Sequence, residues 1–233
     1  MNKNAIKNFA VSARIMLIQA VTQKAFEYEI TENGKNDPSQ AAVNGQSLTS
    51  AEQSQRAQLI AQIQAKGFAS TMEEAAYTWF NRFIALRFME VNNYLPSHTR
   101  IFSDEDGNFK PEVLTDAVNL EIDGLDKALV LELLEQQKNE QLYQYIIITQ
   151  CNALNEGLPE MFERIGGWTE LLFPKNLLRE DSVIAHMVKD IPESDWNDQV
   201  QIIGWLYQYY NSEPKDKVFA NLKKNVKISA ADI

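Results

Sequence analysis

The sequence predicts an all-α fold, an irregular multi-helix domain arranged around one apolar helix over residues 71–95. Three observations carry that prediction. Residues 71–95 (TMEEAAYTWFNRFIALRFMEVNNYL) contain no helix breaker and are apolar at helical spacing. The same spacing of three and four recurs in residues 4–27, 126–137, 139–156 and 195–211. The seven prolines and nine glycines are few and sit between those stretches, where turns belong. With 45% hydrophobic residues the chain can bury a sizeable core, which excludes wholesale disorder.

The first helix spans residues 1–30, its periodic part 4–27, with Ile6, Phe9, Ala13, Leu17, Ala20 and Val21 near one face. Residues 31–48 are polar, with two Asn-Gly pairs and an Asp-Pro, and read as a mobile loop. A helical body follows over 49–214. Thr49 and Glu52 stand at capping-box spacing and open a helix that Gly67 stops. Thr71 and Glu74 repeat that spacing at the start of the central helix, and Pro96 ends it by forcing Leu95 out of helical dihedrals. On the helix, Ala76, Trp79, Phe80, Phe83, Ile84, Val91 and Tyr94 share one face. Arg87 and Glu90 fall on that same face and are predicted to form a buried charge pair, whereas Glu74, Thr78, Asn81 and Arg82 make a polar stripe.

Beyond Pro96, Ile101-Phe102 and Phe109 flank an Asp-Gly turn, the pattern of a short β-hairpin near 100–110. Pro111 starts a short helix to about residue 119. Residues 145–148 (YIII) resemble a strand, but helical flanks place them inside the 139–156 helix. Residues 171–174 (LLFP) form an extended apolar plug. Asp181 or Ser182 caps a helix to about 189, and Ser194 or Asp195 caps the last strong one. Residues 215–233 form a basic tail.

The net charge of −10 is uneven. Lys3, Lys7, Arg14 and Lys24 face no acid within residues 1–26, and five lysines, among them Lys223, Lys224 and Lys227, oppose only Asp216 within 215–227. The excess acid lies between, where it would repel a phosphate backbone. Lys3, Lys7, Arg14, Lys223, Lys224 and Lys227 are therefore the candidate contacts to DNA or an acidic partner. One cysteine, Cys151, excludes an intramolecular disulfide framework and fits a reducing cytoplasm. No window reaches the roughly 18–20 apolar residues of a membrane span, so no membrane partner is expected.

Familiar catalytic signatures are missing. The one Gly-Gly pair, 166–167, precedes Trp168 and opens no phosphate-binding loop. His98 and His186 have no ligand-spaced companions, and Asp104, Glu105 and Asp106 lack the spacing of a calcium loop. Trp79, Trp205, Tyr207, Tyr209 and Tyr210 could stack on a ligand, but aromatic stripes at helical spacing are usually core.

Three passages in combination point further: AYTWFNRFIALRFMEVNNYL at 76–95, NLLREDSVIAHMVKDIPESDW at 176–196 and QIIGWLYQYYNSEPKDKVFA at 201–220. Together they resemble the region before the catalytic domain of the adenine-specific DNA methyltransferases of bacteriophage-exclusion (BREX) defence systems, the PglX family. The resemblance implies that residues 1–233 are a single helical N-terminal domain whose tail leads to a missing catalytic domain. It implies S-adenosylmethionine as cofactor of the parent protein and none in this segment. The expected partners are its own C-terminal methyltransferase domain, other phage-defence proteins and, through the parent, DNA. The family's adenine chemistry needs an Asn/Asp-Pro-Pro-Tyr/Phe type motif facing the flipped base, and no two prolines here are adjacent. None of the family's catalytic residues therefore maps onto these positions. The segment is expected to act as scaffold or docking surface, with a DNA-contacting clamp built from the basic ends as the alternative.

Overall fold

A computed structural model describes residues 1–34 and 36–212. The chain is all-α apart from one two-stranded hairpin among the described residues. Its elements are α1 (Lys3–Glu27), β1 (Ala42–Val43), β2 (Gln46–Ser47), α2 (Ser50–Lys66), α3 (Phe68–Val91), α4 (Glu112–Thr115), α5 (Lys127–Glu135), α6 (Asn139–Leu154), α7 (Trp168–Leu171), α8 (Val183–Asp190) and α9 (Gln201–Tyr210), with a 3₁₀ turn at Glu193–Asp195.

Helix α3 is the axis. Its buried residues include Met72, Ala75, Trp79, Phe80, Phe83, Ile84 and Leu86, so apolar contact surrounds most of its length. α1 lies along it and also packs on α8 and α9, while α2 covers its N-terminal half and meets α7. α4 and α5 pack on α6. The apolar plug is buried from Leu171 to Pro174: Phe173 meets Trp79 edge-on, ring centroids 4.7 Å apart, and the Trp79 indole N–H donates to the Thr169 carbonyl at 3.1 Å.

The helix ends show where local signals hold and where they yield. Thr49 and Glu52 cap α2 reciprocally, the Glu52 N–H reaching Thr49 Oγ1 at 3.2 Å and the Thr49 N–H reaching the Glu52 carboxylate at 2.9 Å. Thr71 and Glu74 form no such box. Gly67, at φ +86°, turns the chain so sharply that helix resumes at Phe68. Thr71 then lies inside the helix, and its hydroxyl donates back to the Gly67 carbonyl at 2.8 Å.

Nor does Pro96 end α3. Asn93 takes φ +55°, its N–H bonds the Glu90 carbonyl at 3.2 Å, and the Tyr94 N–H bonds the Met89 carbonyl at 2.7 Å. That is a Schellman stop with Asn in the left-handed position. It carries Tyr94 off the buried face, leaving it 55% exposed.

The hairpin lies elsewhere than near 100–110. Ala42–Val43 pairs antiparallel with Gln46–Ser47 around Asn44-Gly45, both at positive φ as a type I′ turn requires. Residues 100–110 form no ladder. There the Asp104 carboxylate accepts the Asn108 N–H at 2.8 Å, closing a tight turn through Gly107. α4 stops at Thr115, short of residue 119, with Pro111 as its N-cap. Ser182 caps α8, accepting the Ala185 N–H at 3.1 Å.

The helix expected to start near Ser194 or Asp195 begins at Gln201. The Asp195 carboxylate is occupied by the chain's N-terminus, 3.1 Å from the Met1 ammonium and accepting the Asn2 N–H at 2.7 Å. It thus ties the start of α1 to the turn before α9.

Candidate functional site

The most concentrated chemistry in the described chain is an ionic cluster at the C-terminal end of α3. Helical spacing of three puts Arg87 and Glu90 on the same face, and their side chains pair with no solvent exposure. The Glu90 carboxylate has a full set of donors. One oxygen accepts the backbone N–H groups of Ile101 and Phe102 at 2.8 and 2.7 Å, and the other accepts the Ser103 hydroxyl at 2.7 Å and the Arg87 guanidinium.

Ser103 Oγ in turn accepts from Arg87 at 2.9 Å and from Arg100 at 2.7 Å. Both arginines then converge on Glu193, Arg87 Nη2 at 3.1 Å and Arg100 Nη1 at 2.5 Å from Oε1, with Arg100 Nη2 3.3 Å from Oε2. Burial alone would raise the Glu193 pKa, but the Arg100 hydrogen bond and the charges of Arg87 and Arg100 outweigh it and hold the carboxyl below its usual range. Tyr143 closes the floor, its hydroxyl donating to the Ile101 carbonyl at 2.9 Å, and burial pushes that phenol upward.

Two arginines and two glutamates thus neutralise one another while joining α3, the 100–103 strip and the 3₁₀ turn at 193–195. Beside them opens a cavity of about 230 Å³, lined among others by His98, Arg100, Glu105 and Glu112. The arrangement fixes the mutual placement of these three segments.

Of the basic candidates, Lys3, Lys7 and Arg14 lie among the described residues, and their environments differ. Arg14 is buried on α1 and paired with Glu73 of α3, Nε lying 3.0 Å from the carboxylate. The Lys3 ammonium sits 4.1 Å over the Trp205 ring of α9. Lys7 is exposed, and Lys223, Lys224 and Lys227 lie outside the described residues. Among the described residues no group of three or more His, Cys, Asp or Glu side chains is placed to hold a metal ion. Cys151 is buried, and burial pushes its thiol up to about 12. Trp79 and Tyr210 are core, while Trp205 stacks on Tyr209 and stays half-buried.

Arg82 departs from its expected polar stripe. It is 3% exposed, donates through Nη2 to the Glu163 carbonyl at 2.9 Å, and stands 5.2 Å from the Trp79 ring. Its Nε and Nη1 find no partner among the described residues. Arg82 alone leaves the stripe, because Glu163 meets it across about eighty positions, a contact no local pattern announces; Glu74 stays exposed and Thr78 and Asn81 half-buried. Arg56 is a second buried cation unforeseen in the sequence. It holds the 31–48 segment, donating to the carbonyls of Tyr28 (3.0 Å) and Asp37 and to Gln40 Oε1 (2.8 Å). Arg100, Ser103 and Glu193 were equally invisible, since each acquires meaning only when three distant strips meet.

No protein-family profile matches the chain. Among curated proteins it is 38% identical over 255 residues to the adenine-specific methyltransferase PglX of Lacticaseibacillus casei (strain Zhang), an alignment covering 96% of this chain and 21% of that protein. It is 37% identical over 244 residues to the adenine-specific methyltransferase BrxX of Escherichia coli O9:H4 (strain HS), covering 99% of this chain and 20% of that protein. The chain spans about a fifth of the length of these relatives. Nearly its whole length aligns with a single stretch of these much longer proteins, and the chain matches a fragment of PglX and BrxX, BREX adenine-specific methyltransferases.

Proposed function

We propose that this chain is the non-catalytic, N-terminal helical module of a phage-defence adenine-specific DNA methyltransferase, working in the cytoplasm as scaffold or docking surface for the catalytic part or for partner proteins. The observation that carries the reading is the ionic cluster: Arg87, Arg100, Glu90 and Glu193 pair with one another across three segments, while Arg87 Nε has no partner among the described residues. Charges spent on each other in this way cost desolvation and return a fixed geometry, which is what a scaffold needs. In this reading S-adenosylmethionine and the adenine base are handled by parts of the parent enzyme that this chain does not span.

Titration calorimetry of the 233-residue chain with S-adenosylmethionine, and a methyl-transfer assay on unmodified DNA, test it. Both should be blank, while deletion of the segment from the full-length enzyme should abolish methylation or assembly. Saturable cofactor binding by the chain alone would overturn the proposal. A DNA retardation assay with salt titration addresses the clamp: retention that falls steeply as salt rises would favour it over the scaffold.

A further inference from the structure

Helix α1 has a second, largely apolar face that the described fold covers only in part, with Val11, Ile18 and Thr22 half-buried. Its packed side carries Ile6, Phe9, Ala10, Ala13, Leu17, Val21 and Ala25. Beside that side runs another stripe, Val11, Ile15, Ile18, Thr22 and Phe26, spaced by four, three, four and four residues and so in line along the helix. Ile15 is 45% and Phe26 50% exposed. Phe26 stacks on Phe68 of α3, centroids 6.1 Å apart, which extends the stripe past the end of α1. An open groove of about 630 Å³ lies along Ile18, Thr22 and Phe26, with Gln19, Gln23 and Glu27 also lining it.

In a chain of net charge −10, residues 8–23 contain one charged side chain, Arg14, which pairs with Glu73; charge returns at the end of the stripe, where Lys24 and Glu27 pair beside Phe26. Charge depletion around an apolar centre is the composition of a contact surface.

The geometry points to this stripe as the face on which the remainder of the methyltransferase polypeptide docks in cis, through an apolar helix face or loop of that same chain. The inference rests on reading this chain as a module of the longer enzyme. Two quantities select the occupant. The relatives' polypeptide is about five times as long as the part aligned here, so most of it lies outside this segment and must be placed against it somewhere. The stripe is small: about 22 Å from residue 11 to 26 at the helical rise and roughly 10 Å wide, a few hundred Å². A separate protein or a second copy ordinarily needs about 800 Å² from each partner. A tethered partner needs less, because the covalent link supplies a high effective concentration.

Thiol labelling tests the assignment. Ile15→Cys and Phe26→Cys are introduced singly, with exposed Val200→Cys as reference, and reaction with N-ethylmaleimide is followed site by site by mass spectrometry. The native Cys151 is fully buried and stays silent. Positions 15 and 26 should label readily in the 233-residue chain and roughly tenfold or more slowly in the full-length enzyme, as expected of a surface covered by packed structure. Equal rates in the two contexts overturn the proposal. Protection in the short chain that grows with its concentration assigns the face to a second copy, and protection in the full-length enzyme only after another defence protein is added assigns it to that protein; either overturns docking in cis. Failure here leaves the scaffold reading standing, whereas cofactor binding by the short chain would remove that reading without altering the labelling contrast.

Discussion

Arg87 and Arg82 make a matched test of what buried charge does in this fold, because both lie on α3 and both are nearly inaccessible, 0% and 3% exposed. Arg87 bonds Glu90, Ser103 and Glu193. Arg87→Met removes the cation nearest Glu90 and leaves a carboxylate with no solvent exposure compensated only by two backbone N–H groups and one hydroxyl. Breaking one side of a buried pair in this way costs about 3–5 kcal/mol. Arg82→Met loses one bond to a carbonyl but also removes two buried N–H groups that lack partners among the described residues. A charged hydrogen bond contributes roughly 1.5–3 kcal/mol and each unsatisfied group costs roughly 1–3, so relief of the two largely offsets the lost bond and any net loss should not exceed about 1 kcal/mol. Adding Glu90→Gln to Arg87→Met should recover part of the loss, since a neutral amide can accept the Ile101 and Phe102 N–H groups and donate to Ser103. The assay is urea unfolding followed by circular dichroism, with slopes compared so that only midpoints carry the difference. Equal losses from Arg87→Met and Arg82→Met, or strict additivity of the double variant, would refute the reasoning.

Three further outcomes follow from the same geometry. Arg56→Met should free the 31–48 segment from α2, seen as faster limited proteolysis within 31–48 before any cut in α3, because three acceptors lose their common donor. Glu193 has a folded pKa below its usual value, so its contribution to stability is fully present above about pH 4.3 and is lost as pH falls through the lower folded value; Glu193→Gln should flatten that part of an acid-unfolding curve. Glu170 is shifted the other way, raised by burial against a partly offsetting hydrogen bond from Gln55, so its charge opposes folding at neutral pH. Glu170→Gln should therefore raise the thermal midpoint at pH 7, with the gain shrinking as pH falls and the native carboxyl takes up its proton.

The sequence by itself determined the all-α class, the central place of the helix containing Trp79 and Phe83, the cap at Thr49, and the closeness of Arg87 to Glu90, and it narrowed the cap of α8 to Asp181 or Ser182. All of these depend on residues within four positions of one another, where helical period and side-chain-to-backbone bonding decide the outcome. Likeness across residues 76–95, 176–196 and 201–220 also pointed to the family. Tertiary structure alone decided the rest. Asn93 stopped α3 before Pro96 could, and Gly67 drew the helix start back past Thr71. The Asn44-Gly45 pair made a hairpin where a loop was read, while the Asp-Gly turn at 106–107 made none. Asp195 gave its carboxylate to the chain's own N-terminus, which postponed the helix expected there to Gln201. Arg82 passed from a polar stripe to the interior, and Glu193 met Arg87 across more than a hundred residues. In each case a donor or acceptor had several partners within reach of the folded chain, and the choice among them was made by burial and packing of distant segments, a quantity that no short window of sequence contains.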